Sequence, residues 1–445
     1  MPTRFDAVSK KLLDALDNPF IDGFTGRVAV TRDLQGRVRI FAEGKQPDSP
    51  PPDVCAGLRE SLGNAMPSGS EICWVPKLIF DQLREAPGAL QRGANTLIDQ
   101  MGEGREWLMP TISSGSHEHA IPPRFVFYGF KGGVGRSSAL AMSAWNFARQ
   151  GKKVLVLDLD LESPGLGPLL LPTLSDYANE EDTVRPGWPR YGLVDWFVED
   201  AIGQADRDLL EEMVQLSPLA TRAGQIYVVP GAGGGYGQYF VSKLSRALID
   251  VVNPQNGNIE TFGDRLARAI QALEQKIHPD IVLLDSRAGL HSIAASLLSR
   301  LEATCLVFAA DSAQTWAGLD HLFSHWQSNP LVARRIRGRL KVVNPLALNL
   351  DESALRLYRE HSRVCFERLY DTETGEQDQS TTFNFNTHDE DAPHAPITVR
   401  YALEYARFAP LDEAAQVDEA RALFVFGELF TYLDRSVKYA ETGNE

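Results

Sequence analysis

The chain is poor in cysteine: four in 445 residues, at Cys55, Cys73, Cys305 and Cys365, far apart and never as a C-x-x-C pair. That spacing supports neither a disulfide framework nor a cysteine-based zinc site. It also lacks any apolar run of the about 20 residues that a membrane-crossing helix needs. Its N-terminus, Met-Pro-Thr-Arg-Phe-Asp, lacks the basic-then-apolar build of a secretion signal. The expectation is a cytoplasmic protein with no membrane role. Positive charge is short too: 44 Lys and Arg stand against 59 Asp and Glu, a net charge of −15. Such a chain does not attract nucleic acid through its general field. One local basic run, Arg334-Arg335-Ile336-Arg337-Gly338-Arg339-Leu340-Lys341, reads first as a solvated helix end and only second as a nucleic-acid patch. The acidic C-terminal segment, from Asp412 to Glu445, excludes a basic membrane-binding helix.

What is present is ordinary globular composition, 43% hydrophobic and 23% charged, enough for two or three domains. One stretch stands out. An apolar run, Arg124 to Gly129, reads as a buried strand, and Ala139 to Ala148 reads as a helix. Between them lies Phe130-Lys131-Gly132-Gly133-Val134-Gly135-Arg136-Ser137-Ser138. A strand, a glycine-rich loop and a helix form a phosphate cradle, because glycines let backbone N–H groups close in and the helix N-terminus adds more. Ser137 is in the place of a Mg²⁺-binding hydroxyl. The loop departs twice from G-x-x-x-x-G-K-[ST]: Phe130 stands for the first Gly and Arg136 for the Lys. Taken alone, the stretch could also be a simple glycine-rich turn.

Two further segments point the same way. Lys153 to Asp158 is an apolar strand that ends in Asp158-Leu159-Asp160. In an open parallel sheet the C-terminal strand ends line the ligand crevice, although acidic turns after strands are common. Pro279 to Asp285 is another apolar strand running into a carboxylate, followed by Ser286-Arg287-Ala288-Gly289. Asp285 there suits a water-mediated magnesium contact. Arg287 reads equally well as a phosphate sensor or as half of a structural ion pair. A fourth strand, Leu340 to Val343, ends in Asn344, before Pro345. An Asn amide can pair with the adenine edge, but Asn before Pro is also a common turn.

The lysine-first loop resembles the deviant Walker A motif, KGGxGK[ST], of the ParA/MinD ATPases, and the segments around Asp158 and Asp285 are similar to theirs. The likeness covers residues from about 121 to 435. It implies ATP and Mg²⁺ as ligands and an ATP-dependent homodimer. It implies that Gly132, Gly133, Val134, Gly135, Arg136, Ser137 and Ser138 hold phosphates and that Asn344 reads adenine. By the same likeness Ser137, Asp158 and Asp285 serve the metal, Asp160 positions or deprotonates water, and Lys131 reaches the partner's ATP. Arg at 136 is bulkier and forked, which implies slow turnover. The implied function is a Mg-dependent ATPase switch that regulates a partner or an assembly. The alternatives are a slow or non-hydrolysing nucleotide-sensing subunit of a multi-protein bacterial system, phage defence among them, and a DNA-partition-type ATPase.

The expected fold class is α/β, a mostly parallel P-loop sheet with helices on both faces, plus a small N-terminal α+β domain. Residues 1–119 form the accessory domain, a partner or dimer module. It should hold a hairpin around Asp33-Leu34-Gln35-Gly36, a strand at Glu71 to Pro76, and helices at Asp6 to Leu16, Val54 to Met66 and across Leu78 to Met101. Its linker carries His117 and His119, too isolated to be zinc ligands. Residues 120–445 form the ATPase domain. Strands are expected near 125–129, 153–158, 226–230, 281–285, 304–309, 340–344 and 396–399. Helices are expected at 137–149, 205–216, 262–277, 291–301, 314–327, 351–369 and 412–434. An insert at about 172–200 carries Trp188, Tyr191, Trp196 and Phe197, either a partner surface or a satellite core. A second insert, Asp371 to Pro393, reads as a mobile acidic loop near the base pocket. Gly231 to Gly237 reads as a flexible loop at the crevice.

Overall fold

The computed structural model describes residues 7–8, 10–12, 14, 27–45, 59–60, 62–66, 72–85, 89–99, 102–112, 121–172, 186–220, 223–235, 239–253, 257, 259–348, 351–371 and 382–442. The linker histidines His117 and His119 lie outside them. The chain divides into two compact units, Met1–Pro110 and Thr111–Glu445.

The first unit is a five-stranded mixed sheet. β1 (Val28–Arg32) and β2 (Val38–Glu43) form the expected antiparallel hairpin, with Gly36 at φ 80° in its turn. β3 (Cys73–Val75) adds to β2 in parallel. A helix, α1 (Lys77–Arg84), follows and buries Phe80. The expectation of helix across Leu78 to Met101 is corrected: β4 (Leu90–Arg92) and β5 (Asn95–Asp99) form a second hairpin, and β5 pairs with β1. Gly93 makes the turn at φ 57°, and β-branched Thr96 and Ile98 favour strand over helix.

The second unit is built on an eight-stranded sheet. β6 (Arg124–Gly129) leads into α2 (Arg136–Arg149), then β7 (Lys153–Leu159) and the short α3 (Leu166–Leu170). Next come α4 (Leu193–Ala201), α5 (Arg207–Glu212), β8 (Gln215–Leu216) and β9 (Gln225–Val229). α6 (Phe240–Ala247) and a small ribbon, β10 (Val251–Val252) with β11 (Ile259–Glu260), precede α7 (Phe262–Ile277) and β12 (Ile281–Ser286). α8 (Ser292–Ala295) passes into one π-helical turn before β13 (Thr304–Phe308), α9 (Ala313–Gln327), α10 (Pro330–Arg337) and β14 (Leu340–Ala347). α11 (Glu352–Phe366), β15 (Ile397–Arg400) and α12 (Glu419–Thr442) complete the unit. The strand order is β15-β14-β13-β6-β12-β7-β9-β8, and only β8 runs antiparallel. This is the expected α/β class.

Central strands are buried on both faces, as a parallel sheet between helices requires. Phe125, Phe127, Val154, Val156, Leu283 and Phe308 share one core with α2 and α12. Val126, Tyr128, Leu155, Leu157, Val282 and Leu284, on the opposite face, are buried as well. α7 begins at Thr261, whose hydroxyl accepts from the Asp264 N–H while the Asp264 carboxylate accepts from the Thr261 N–H.

Several expectations shift. The helix expected at 205–216 ends at Glu212, because Gln215 and Leu216 pair with β9 instead. The last helix is not 412–434 but Glu419–Thr442, started by the Asp418 carboxylate accepting from the Arg421 N–H. In the insert Trp188, Trp196 and Phe197 are buried: Trp188 joins the core shared with α2, and Phe197 packs on Phe262 of α7. The described part of the glycine loop, Gly231 to Gly235, is packed rather than loose: Gly234 N–H donates to the Pro189 carbonyl and Gly235 N–H to the Arg190 carbonyl, and a Cβ on Gly233 would overlap Tyr191. The described part of the acidic insert is anchored: Phe383 and Phe385 pack on Tyr370, and Arg337 pairs with Asp371 at 2.5 Å.

Candidate nucleotide site

β6, β7 and β12 lie side by side in parallel, so their C-terminal ends meet on one side of the sheet. The chain reverses its direction of strand addition at β6, which is where open α/β sheets leave a crevice. Register places Asp285 of β12 opposite both Phe127 and Asp158.

The loop after β6 has Gly133 and Gly135 at φ 71° and 76°. Both positions favour glycine, since a Cβ strains that backbone. A Cβ on Gly132 or Gly133 would meet nothing within 4 Å, so the mouth of the loop is open. Gly135 caps the 14-residue α2 with no side-chain hydrogen bond, leaving the first amides free to bind an anion. Val134 is buried and anchors the loop, Ser138 is half-buried, and Lys131 is exposed. Phe130, in the place of the first motif glycine, turns its ring onto Gly318 of α9, where any side chain would overlap it.

Arg136 does not point out of the loop. Its side chain is 8% exposed, its Nε donates to Asp285 Oδ1 at 2.7 Å, and an Nη donates to Asp160 Oδ2 at 3.1 Å. Ser137 Oγ donates to the other Asp285 oxygen at 2.5 Å. Asp158 lies beside this group, 1% exposed. Its Oδ2 accepts from the Leu166 N–H at 2.9 Å, and its Oδ1 is buried with no donor.

The electrostatics follow from burial. Desolvation, with the nearby Asp285 charge, pushes the Asp158 carboxyl up to about 8. Desolvation also raises Asp160, against the pull of Arg136. Burial disfavours the charge on Arg136, but Asp285 and Asp160 outweigh it and hold the guanidinium above its ordinary value. The site is a strand-end cluster with more carboxylate than cation.

The remaining expected residues sit at its edges. Arg287 forms an ion pair with Glu162, and His291 Nε2 is 3.2 Å from the same carboxylate. Asn344 is buried on β14, opposite Thr398 of β15. Two residues on, Leu346 adopts φ 52° and lies 3.3 Å from where a Cβ on Gly135 would be, so the end of β14 reaches the loop. The sequence reading missed Glu162, although it continues the every-second-residue acidic pattern of Asp158 and Asp160. It also missed the Phe130–Gly318 contact, for which no local signal exists.

No family model and no curated protein matches the chain. Similar solved structures are ParA- and MinD-type ATPases. A ParA family ATPase from Chlorobium tepidum is 15% identical, over 67% of this chain and 92% of its own, with a TM-score of 0.39. MinD from Aquifex aeolicus is 14% identical, over 70% and 96%, with a TM-score of 0.39. McdA from Cyanthece is 12% identical, over 72% and 99%, with a TM-score of 0.41. Among the described residues no helix is long and apolar enough to cross a membrane.

Proposed function

We propose that the chain is an ATP-binding, Mg²⁺-dependent ATPase that works as a switch. The observation that carries this reading is the convergence of an open glycine loop, a free helix N-terminus, Ser137, Asp158, Asp160 and Asp285 at three neighbouring strand ends. The open space over Gly132 and Gly133 fits phosphate oxygens. Magnesium fits as well. Asp158 Oδ1 is a buried oxygen without a donor. Among the described residues no cluster of three or more His, Cys, Asp or Glu could hold a metal. Any ion held here would therefore take few protein ligands and complete its shell with phosphates and water.

In this reading the amides of Gly132 to Ser138 bind the β- and γ-phosphates. Ser137 and Asp285 would hold Mg²⁺, with Asp158 behind them, and the ion would supply positive charge against the phosphates. Asp160 orients the attacking water and takes its proton, and the burial that raises its pKa makes it a stronger base than a free carboxylate. Asn344 reads the adenine edge and so favours ATP over GTP. Lys131 is exposed at the mouth of the loop and reaches the nucleotide of a second copy in a homodimer. The first unit is the module that meets a protein partner.

A second reading has its own support. Arg136 occupies both acidic groups that hydrolysis needs, which favours a slow nucleotide sensor. Phosphate release by wild type and Asp160→Ala separates the two. A switch that hydrolyses ATP loses about a hundredfold or more in turnover with nucleotide affinity kept. No release by wild type with Mg·ATP leaves only the sensor.

A further inference from the structure

Both oxygens of Asp285 are taken in this structure, one by Arg136 and one by Ser137. Asp160 is taken by the other end of the same guanidinium. Asp158 completes the group with an oxygen that nothing donates to. A single planar cation thus bridges two carboxylates at the place where a divalent ion has to sit. The planar fork of arginine reaches the two carboxylates through two different nitrogens. We propose that Arg136 is a built-in cation, which closes the metal site in the nucleotide-free chain until bound phosphates draw its guanidinium away.

The inference rests on the nucleotide reading above and adds its regulation. Arg136 directly follows Gly135 and opens the first turn of α2, so its stem starts beneath the open mouth of the loop. A phosphate held there offers the guanidinium a bidentate partner of greater charge. Swinging toward it frees Asp285 for metal and Asp160 for water in one movement. Metal entry is then ordered: it follows or accompanies nucleotide and does not precede it. Ser137 keeps its place in both states, since its hydroxyl needs only to turn from Asp285 to the ion.

The test needs no turnover. Mn²⁺, which replaces Mg²⁺ and is read by its free-ion electron paramagnetic resonance signal, is titrated into the full chain without nucleotide. Wild type should take up little. Arg136→Met, which keeps the stem and removes the charge, should bind Mn²⁺ about tenfold or more tightly, because a unit cation has left two partly desolvated carboxylates. Asp285→Asn in the Arg136→Met background should abolish that gain. Equal Mn²⁺ affinity in wild type and Arg136→Met overturns the proposal. If Arg136→Met does not fold, Arg136→Gln carries the test: it keeps a polar side chain and removes the charge, so Mn²⁺ should again bind more tightly than to wild type, and equal or weaker binding overturns the proposal. The two readings fail separately. Metal uptake by Arg136→Met with no ATP binding by either chain keeps the built-in cation and removes the ATPase. Tight Mg·ATP binding by wild type with no metal gain in the variant does the reverse.

Discussion

The ring of Phe130 occupies the space that a side chain on Gly318 would need. The first residue of the candidate phosphate loop is therefore seated on a helix that follows β13, and the loop's position depends on that helix. Gly318→Ala should push Phe130 out of its seat, at a cost of about 1–3 kcal/mol for overpacking. The displaced loop should also bind ATP more weakly. Chemical denaturation gives the first effect and a nucleotide titration the second. Unchanged values for both would show that Phe130 has room to move and does not set the loop.

His394 is fully buried, with Tyr370 Oη 2.5 Å from its Nδ1 and the Thr387 carbonyl 3.3 Å from its Nε2. Burial lowers its pKa against the opposing pull of the Thr387 carbonyl, and Arg363, Arg359 and Lys341 push it down further. The folded chain therefore protonates the ring at lower pH than the unfolded chain, which takes up its proton near about 6.5. Stability from this group is present above that value and is lost as pH falls through it. The urea midpoint of wild type should drop between pH 7.5 and 5.5, and that of His394→Gln should drop less. Parallel curves would contradict the assignment.

Lys131 is exposed where the loop opens. In the dimer reading its charge acts on the partner's nucleotide, as a finger supplied in trans does. Light scattering with size exclusion should show ATP-dependent dimers for wild type and fewer for Lys131→Ala, with nucleotide affinity nearly equal. An oligomeric state indifferent to nucleotide and to this substitution would remove the dimer.

Local signals made much of the fold legible. α7 was readable to the residue, because Thr261 and Asp264 mark its start and apolar spacing carries it to Ile277. β6, β7 and β12 were readable as apolar runs, since a sheet buried on both faces leaves no alternation. The strands of 90–99 were not: Leu78 to Arg84 begins as a good helix, and the pairing that claims Asn95–Asp99 comes from β1, far back in the chain. Whether the aromatics of the insert face a partner or a core stayed open for the same reason, since Phe197 packs on Phe262 of α7 and the carbonyl of Phe197 accepts from Arg265. At the site the residue types and spacings pointed to phosphate and metal. The direction of Arg136 did not follow from them, because a side chain's choice between phosphate and carboxylate is decided by three-dimensional placement of Asp160 and Asp285.

The central claim is that the loop from Phe130 to Ser138 binds ATP. Calorimetric titration of ATP into the full chain with Mg²⁺ tests it most directly, beside Gly133→Val, which strains a backbone at φ 71° and fills the open cradle. The account predicts one saturable site per chain in wild type, weaker binding of GTP, and a loss of about tenfold or more in the variant, the worth of roughly one charged hydrogen bond. Absence of saturable binding in wild type, or equal affinity in Gly133→Val, would contradict it.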